Sequence, residues 1–135
     1  MKCVYLNFTK ANGQIHLDQT TNLAVPIVGS GYGCGLIEVT GRVVNADTSR
    51  KAEPIFLCCD VCEDSNVEGN KMPALRQLKR NPNGVITNDV NHVIWLRLNR
   101  PEISAIRVYI ADSTGELVTL SSFRLNCLLL FVPAP

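Results

Sequence analysis

Three of the six cysteines in this 135-residue chain lie close together in sequence, at Cys58, Cys59 and Cys62. The run Cys59-Asp60-Val61-Cys62 has the spacing of a metal-binding pair, because two thiolates three residues apart can hold one zinc ion. Adjacent residues of a strand point to opposite faces, so only one of Cys58 and Cys59 can share a site with Cys62. The first chemistry to consider is therefore metal binding by thiolates.

A tetrahedral zinc site needs two further ligands, and the sequence offers no second closely spaced pair to supply them. The remaining candidates are scattered along the chain: Cys3, Cys34, Cys127, His16 and His92. Cysteine at an apolar strand position behaves as a small hydrophobic residue. We therefore expect reduced thiols that pack in the core, with no bound metal and no other cofactor.

No residue pattern indicates catalysis. Neither His16 nor His92 has a neighbouring nucleophile and acidic residue that would complete a catalytic signature, and a cupin-type metal site would need clustered histidines and carboxylates. The glycine-rich stretch 29–35 lacks the Lys-Ser/Thr pair of a phosphate-binding loop, and no helical pattern follows it. We predict a plain loop there and a protein that is not an enzyme.

Charge and hydropathy exclude two further classes. The 13 Lys and Arg residues nearly balance the 12 Asp and Glu residues, for a formal net charge of +1. A nucleic-acid-binding protein typically has an excess of positive charge, clustered on one surface, and this composition does not indicate one. The chain has no uncharged apolar run near the length of about 18 residues that a membrane span requires. Its opening lacks a signal-peptide pattern, so we expect no membrane span, no secretion and thiols kept reduced inside a cell.

The elements that must position these residues are strands. Apolar side chains recur with a period of two, most clearly where Ile106, Val108 and Ile110 alternate with Arg107 and Tyr109. That alternation is typical of a strand with one buried face. The expected helix content is well below that of an average globular domain.

The end of the chain reads as a hairpin. The residues of 112–116 favour a turn, and the apolar run 123–132 follows them. Within that run Leu128 and Leu130 fall on the face opposite Cys127, so both faces of the strand are apolar. One face belongs to the core, and the other needs a loop, a second layer or another subunit as cover.

Eight strands follow from the whole pattern, centred near Cys3, Leu23, Ile37, Ile55, Ala74, Ile94, Val108 and Leu125. Residues 63–71 are predicted as a polar loop, and within the strand 92–98 Ile94 is predicted to face the core and Trp95 the solvent. Residues 1–135 are therefore expected to form one all-β domain, an eight-stranded antiparallel sandwich of the single jelly-roll type, with the first and last strands side by side. An immunoglobulin-like sandwich is the competing fold, but its Cys–Trp–Cys core is not evident.

Several segments resemble proteins of Polinton/Maverick elements and the related adintoviruses. The segment 59–69 followed by Met72-Pro73-Ala74-Leu75-Arg76 is similar to a recurring strand, polar turn and Leu-Pro-x-Leu-Arg strand of that family. The closing segment 106–118 resembles the family's ending, and Tyr5-Leu6-Asn7 with Leu36-Ile37-Glu38-Val39 resembles its start. The resemblance touches most of the chain and rests on turn and strand residues. It implies a minor capsid protein with a single jelly roll, the type that forms pentons at icosahedral vertices.

The resemblance also implies partners and a location. We expect a homo-oligomer, with a pentamer as the narrower expectation, that contacts a major capsid protein in a virion assembled in the host cytoplasm or nucleus. The chain is short and lacks the longer insertions of such penton proteins. Three interpretations therefore stay open: the penton itself, another capsid or cement component, or a host-domesticated derivative.

Some apolar and aromatic residues lie on strand faces that would be exposed to solvent in an isolated sandwich. Such residues are candidates for the subunit interface. The predicted interface set is Trp95, Arg97, Arg107, Tyr109, Leu128 and Leu130. The two arginines share faces with the two aromatic residues and are expected to fix the register between subunits. Two alternatives stay open: loops of the same chain cover these faces, or the domain is a lectin-like binding module in which the glycine-rich loop and Tyr32 line a sugar site.

Overall fold

A computed structural model describes the backbone of residues 4–9, 16–20, 32–45, 54–86, 93–99, 105–118 and 120–133. Side chains are described for residues 33–44, 54–86, 93–99, 105–118 and 125–132. In these residues the protein is all-β, with antiparallel pairing throughout and no helix. The prediction of an all-β antiparallel chain is confirmed.

The strands, numbered in chain order, are β1 (Val4–Thr9), β2 (His16–Thr20), β3 (Tyr32–Asn45), β4 (Ile55–Cys59), β5 (Ser65–Val67), β6 (Asn70–Met72), β7 (Ala74–Leu78), β8 (Val85–Ile86), β9 (Leu96–Arg97), β10 (Ala105–Ala111) and β11 (Leu120–Pro133). The predicted second strand near Leu23 lies outside the described residues, and β2 precedes that position in the chain. Cys3 also lies outside them.

Two sheets contain most of the strands. The first has the order β1-β11-β3-β8, with β9 also pairing with β3, and the second has the order β2-β10-β4-β7. The first and last strands are neighbours, as predicted, because β1 pairs with β11 from Val4 opposite Phe131 to Thr9 opposite Asn126. Strands that follow one another in the chain often belong to different sheets, so the chain passes repeatedly from one sheet to the other.

One large hydrophobic core cluster contains residues of both sheets. Its fully buried residues come from both, with Leu129 and Phe131 from the first sheet and Leu57 and Ile106 from the second. The alternation predicted for β10 and for the end of β11 is confirmed, since their inward residues are buried and Arg107 is exposed. Period-two patterning therefore selects which face of each strand enters the core.

A β-bulge in β3 changes the faces that alternation predicts. The pairing with β11 shifts between Leu128 and Leu129, so that Glu38 and Leu36 are the successive partners and Ile37 is the extra residue. Leu36 is buried in the core and Ile37 is only half-buried. The expectation that Ile37 shares the inward face of Val39 was wrong, because one inserted residue reverses the alternation.

The predicted terminal hairpin is not a hairpin of one sheet. β10 pairs with β2 and β4 in the second sheet, whereas β11 pairs with β1 and β3 in the first. The turn itself forms as predicted, with the backbone N–H of Gly115 donating to the carbonyl oxygen of Asp112 at 3.1 Å. The chain reverses at this turn and then crosses to the other sheet.

Residues 63–71, predicted as a polar loop, contain most of a small hairpin formed by β5 and β6. Its turn places Glu68 at φ 49° and Gly69 at φ 86°, the two left-handed residues that a tight hairpin of this kind requires. The Ser65 hydroxyl, which has one proton, donates a hydrogen bond shared between the carbonyl oxygens of Met72 and Ala74, at 3.1 and 3.0 Å. The loop prediction was wrong because composition alone does not reveal this turn geometry.

Of the predicted strand 92–98 the structure describes residues 93–98, and most of these are not strand. Residues 93–95 have no strand pairing, and only Leu96–Arg97 pairs with β3. Ile94, predicted to face the core, is 51% exposed, whereas Leu98 is buried. The period-two argument fails before Leu96 because the chain is not an extended ladder strand there.

Candidate functional site

Three cysteines distant in sequence meet inside the core. Cys34 lies on β3, Cys59 ends β4, and Cys62 follows it in the next turn. Their Sγ atoms all lie within 4.8 Å of one another, and all three residues are buried. These three thiols are referred to below as the cysteine cluster.

The turn 59–63 that carries two of these thiols is fixed from several sides. The N–H of Cys62 donates to the carbonyl oxygen of Cys59 at 3.2 Å, which closes the turn. Asp60 is tied to β10, because its N–H donates to the carbonyl oxygen of Arg107 at 3.0 Å and its Oδ1 accepts the N–H of Arg107 at 2.8 Å. The position of Cys62 relative to Cys59 is therefore set by backbone hydrogen bonds.

Asn99 holds the other side of the same turn. Its Nδ2 donates to the carbonyl oxygens of Asp60 at 2.8 Å and Cys62 at 3.1 Å, and its N–H donates to the carbonyl oxygen of Val61 at 2.8 Å. A side-chain amide that satisfies two carbonyl groups replaces hydrogen bonds that water would otherwise make. Asn99 is itself exposed, so it stabilises the turn from the surface.

The two other described cysteines are also buried but lie outside the cluster. Cys58 packs with Phe56 and Met72 in a second, smaller hydrophobic cluster, whereas Cys59 belongs to the main core. The prediction that only one of Cys58 and Cys59 can join Cys62 is confirmed, because the two side chains leave the strand on opposite faces.

Burial keeps these thiols in the neutral form. A hydrogen bond with Cys59, another with Cys62, and burial raise the pKa of Cys34 well above its ordinary value. For Cys62 a hydrogen bond with Cys34 lowers the pKa, but a hydrogen bond with Cys59 and burial outweigh it, so its pKa is also raised. Burial raises the pKa of Cys58 to about 12. None of these groups is an activated nucleophile, since that role requires a lowered pKa.

Sequence reasoning missed Cys34 as a member of the cluster. Cys34 lies in the glycine-rich stretch 29–35, where it has neither a neighbouring cysteine nor a helical or paired spacing to mark it. Only the pairing of strands brings it beside the Cys59–Cys62 turn. The part of that stretch that the structure describes, from Tyr32 onward, is strand rather than the predicted loop.

Four of the six predicted interface residues lie on the first sheet or directly beside it, and they are called the first-sheet group below. Leu128 and Leu130 are half-buried on the face opposite the core, which confirms their predicted orientation. Trp95 is 47% exposed, and Arg97 is exposed on β9. The structure brings Trp95 and Leu130 onto the same outer face, because Trp95 lies over Gly35 and Gly35 is the register partner of Leu130.

Glycine at position 35 makes room for this arrangement. A Cβ atom there would lie 2.5 Å from Cγ1 of Val93 and 3.0 Å from Cε3 and Cζ3 of Trp95, closer than such atoms normally approach. At Gly33, on the same face, the nearest atoms would be at ordinary contact distances of 3.8 Å or more. The outer face of β3 thus accepts the Trp95 ring only because residue 35 has no side chain.

The other two predicted interface residues, Arg107 and Tyr109, are on β10 in the second sheet. Arg107 is exposed. Tyr109 is half-buried and packs against the second cluster, formed by Phe56, Cys58, Met72, Ala74 and Ala111. Burial is the main cause that raises the pKa of Tyr109 to about 12. The six residues therefore form two groups on two sheets rather than one patch.

Among the residues that the structure describes, no helix is long and apolar enough to cross a membrane. Neither the family models nor the curated proteins to which we compared the sequence give a match.

Proposed function

We propose that this chain is a single jelly-roll sandwich and that it serves as a self-assembling subunit of a protein shell. More specifically, we propose a penton-type minor capsid protein at icosahedral vertices. The observation that carries the proposal is the strand order. With the β5–β6 hairpin set aside and β8 and β9 counted as one edge position, eight positions form two sheets in the orders 1-8-3-6 and 2-7-4-5. This order supports the proposed jelly roll, an architecture of many viral capsid domains.

Exposed apolar residues at one edge of the first sheet support self-association. Val85, Ile94 and Trp95 are large apolar residues that are 41%, 51% and 47% exposed. All three lie on or beside β8 and β9, which both pair with the same side of β3. Val85 lies opposite Arg42 and Trp95 lies over Gly35, so the exposed apolar residues are spread along this edge. Exposed apolar surface along a sheet edge is a feature of protein interfaces.

A closed ring requires a heterologous interface, in which one surface of a subunit contacts a different surface of its neighbour. The two groups of predicted interface residues suit that requirement. In this proposal the first-sheet group, Trp95, Arg97, Leu128 and Leu130, contacts the second-sheet group, Arg107 and Tyr109, of the next subunit. The assembled ring then binds a major capsid protein in the virion.

The test is the absolute mass in solution, measured by light scattering on a sizing column over a range of concentrations. We expect a pentamer or a larger closed species. Trp95→Ser and the double variant Leu128→Ser/Leu130→Ser are expected to give folded monomers. Leu117→Ser is the matched control, because Leu117 is comparably exposed, at 53%, but lies in the turn between β10 and β11.

A strict monomer at every concentration would contradict self-assembly. Retention of the oligomer by Trp95→Ser and by the double variant would contradict the proposed surface even if the chain assembles. Glycan binding by a monomer would instead support the lectin-like alternative, so a glycan screen of the same preparation separates the two functions.

A further inference from the structure

The cysteine cluster has the composition and the arrangement of a metal site. Cys59 and Cys62 have two residues between them, the spacing that recurs in zinc-binding cysteine pairs. Cys34 adds a third sulfur from another strand. Zinc–sulfur bonds of about 2.3 Å in a tetrahedron place the sulfur atoms roughly 3.8 Å apart. Three Sγ atoms that all lie within 4.8 Å of one another are compatible with that geometry after small side-chain adjustments.

Burial alone does not explain why the three thiols converge. Cys58 and Cys127 are as deeply buried as the members of the cluster, yet neither belongs to it. A cysteine that only fills apolar space needs no other sulfur atom beside it, because a small hydrophobic neighbour packs equally well. The thiols of the cluster instead hydrogen-bond one another. A disulfide would use two of the thiols and leave the third. A metal ion uses all three.

The scaffold around the cluster is also that of a built site. Ligands bind a metal tightly when the surrounding structure fixes them in advance. The turn 59–63 is held by Asp60 and β10 on one side and by Asn99 on the other. The N–H of Glu63 also donates to the carbonyl oxygen of Arg97, at 2.7 Å. Cys34 is held in β3 by its pairing with both Phe131 and Leu96.

We propose that the sulfur atoms of Cys34, Cys59 and Cys62 bind one Zn²⁺ ion in the core of this protein. Three sulfur–zinc bonds form, three S–H bonds break, and three protons leave to solvent, with no change of oxidation state. The ion links β3 to the end of β4, that is, the first sheet to the second. Three thiolates leave the fourth zinc position for a ligand other than the described cysteines, because Cys58 and Cys127 lie outside the cluster.

The test is a titration of the reduced, metal-free protein with Co²⁺ under anaerobic conditions, followed by displacement with Zn²⁺. We expect the visible absorption of tetrahedral cobalt thiolate, saturating at one ion per chain, and proton release on binding. Cys59→Ala is expected to weaken binding by more than about 100-fold, as is each of the other two cluster substitutions. Cys58→Ala is the matched control, because it removes an equally buried thiol from the opposite face of β4 and is expected to bind as the unaltered chain does.

A second variant keeps the proposal testable if core substitutions prevent folding. Asn99 is an exposed positioning residue whose side chain donates to the backbone of the turn. Because exposed substitutions disturb the core least, Asn99→Ala is expected to fold and to bind Co²⁺ about 10-fold more weakly. Zn²⁺ is expected to raise the unfolding temperature of the unaltered chain and of Cys58→Ala.

The absence of thiolate–cobalt absorption in the reduced, folded chain would overturn the proposal. So would equal Co²⁺ affinity in folded Cys58→Ala and Cys59→Ala, or a disulfide between two cluster thiols in protein purified without reductant that persists when zinc is supplied. The inference does not depend on assembly, because these measurements apply to a monomer as well as to an oligomer.

Discussion

Cys58 and Cys59 are neighbours in sequence, yet their side chains lie in two different hydrophobic clusters on the two sides of β4. Cys59 lies in the main core with Cys34 and Cys62, and Cys58 lies beneath the β5–β6 hairpin with Phe56 and Met72. The two positions are equally buried. They therefore form a natural pair for separating what a thiol does by packing from what it does with its neighbours.

The buried thiols are expected to resist alkylation in the folded, metal-free protein. Burial raises the pKa values of Cys58 and Cys127 to about 12, so almost no thiolate, the reactive form, is present near neutral pH. Mass spectrometry after brief iodoacetamide treatment at neutral pH should find both residues unmodified in the native chain and modified after denaturation. Rapid native labelling of Cys58 would contradict its placement beneath the hairpin.

The Asp112 side chain is expected to stabilise the turn that leads to β11. Its Oδ1 accepts the N–H of Thr114 at 2.9 Å, the hydroxyl of Thr114 at 2.6 Å and the N–H of Glu116 at 3.2 Å. Asp112→Ala is therefore expected to lower the free energy of unfolding by about 1–3 kcal/mol. Urea unfolding measures the change.

Asp112→Asn is the matched control for that substitution, because an amide oxygen can still accept these hydrogen bonds. It should retain most of the stability that alanine loses. If alanine and asparagine have the same effect, the side-chain acceptor is not what stabilises the turn.

Gly35→Ala is expected to displace the Trp95 ring. The added methyl group meets Val93 at 2.5 Å and Trp95 at 3.0 Å, so one of them must move, at a cost of about 1–3 kcal/mol. Trp95 is the only tryptophan in the chain, so its fluorescence reports the displacement directly.

Gly33→Ala tests whether that effect comes from the close contact or from any alanine on this strand. Residue 33 lies on the same face of β3, but a Cβ atom there meets neighbours only at ordinary distances. We expect unchanged Trp95 fluorescence and little loss of stability. A shift as large as that of Gly35→Ala would place the tryptophan elsewhere.

Tyr109 is expected to make stability fall at alkaline pH. Burial is the main cause that raises its pKa from 10.0 to about 12, and electrostatic repulsion from nearby acidic groups, among them Asp60 and Asp64, adds to it. Below pH 10 the phenol is neutral in both states, but between about 10 and 12 the unfolded chain loses the proton before the native chain does. The stabilising contribution of the neutral, buried phenol is therefore lost as the pH rises through that window.

Ultraviolet absorbance of tyrosinate, compared between the unaltered chain and Tyr109→Phe, isolates this residue from Tyr5 and Tyr32. The difference should titrate near pH 12, and Tyr109→Phe should make the decline of stability between pH 10 and 12 less steep. A difference titrating at the ordinary value for tyrosine would mean that Tyr109 is open to solvent.

Local patterning in the sequence by itself determined the class of fold and the faces of its most regular strands. Ile106, Val108 and Ile110 alternate with polar or half-buried residues, and the structure buries all three. The turn at 112–116 was also predictable, because Asp112 accepts hydrogen bonds from Thr114, Gly115 and Glu116 within the turn. Such features are local, so residues a few positions apart suffice to specify them.

Features that depend on contacts distant in sequence were decided only by the tertiary structure. No local signal shows that β10 and β11 belong to different sheets, or that a bulge at Ile37 reverses the faces of β3. The same is true of the cysteine cluster, in which Cys34 joins Cys59 and Cys62 from a different sheet. The spacing of Cys59 and Cys62 in the sequence predicts that these two thiols lie together. Cys34 joins them because strands that are distant in sequence pair and pack, and no local pattern in the sequence shows such contacts.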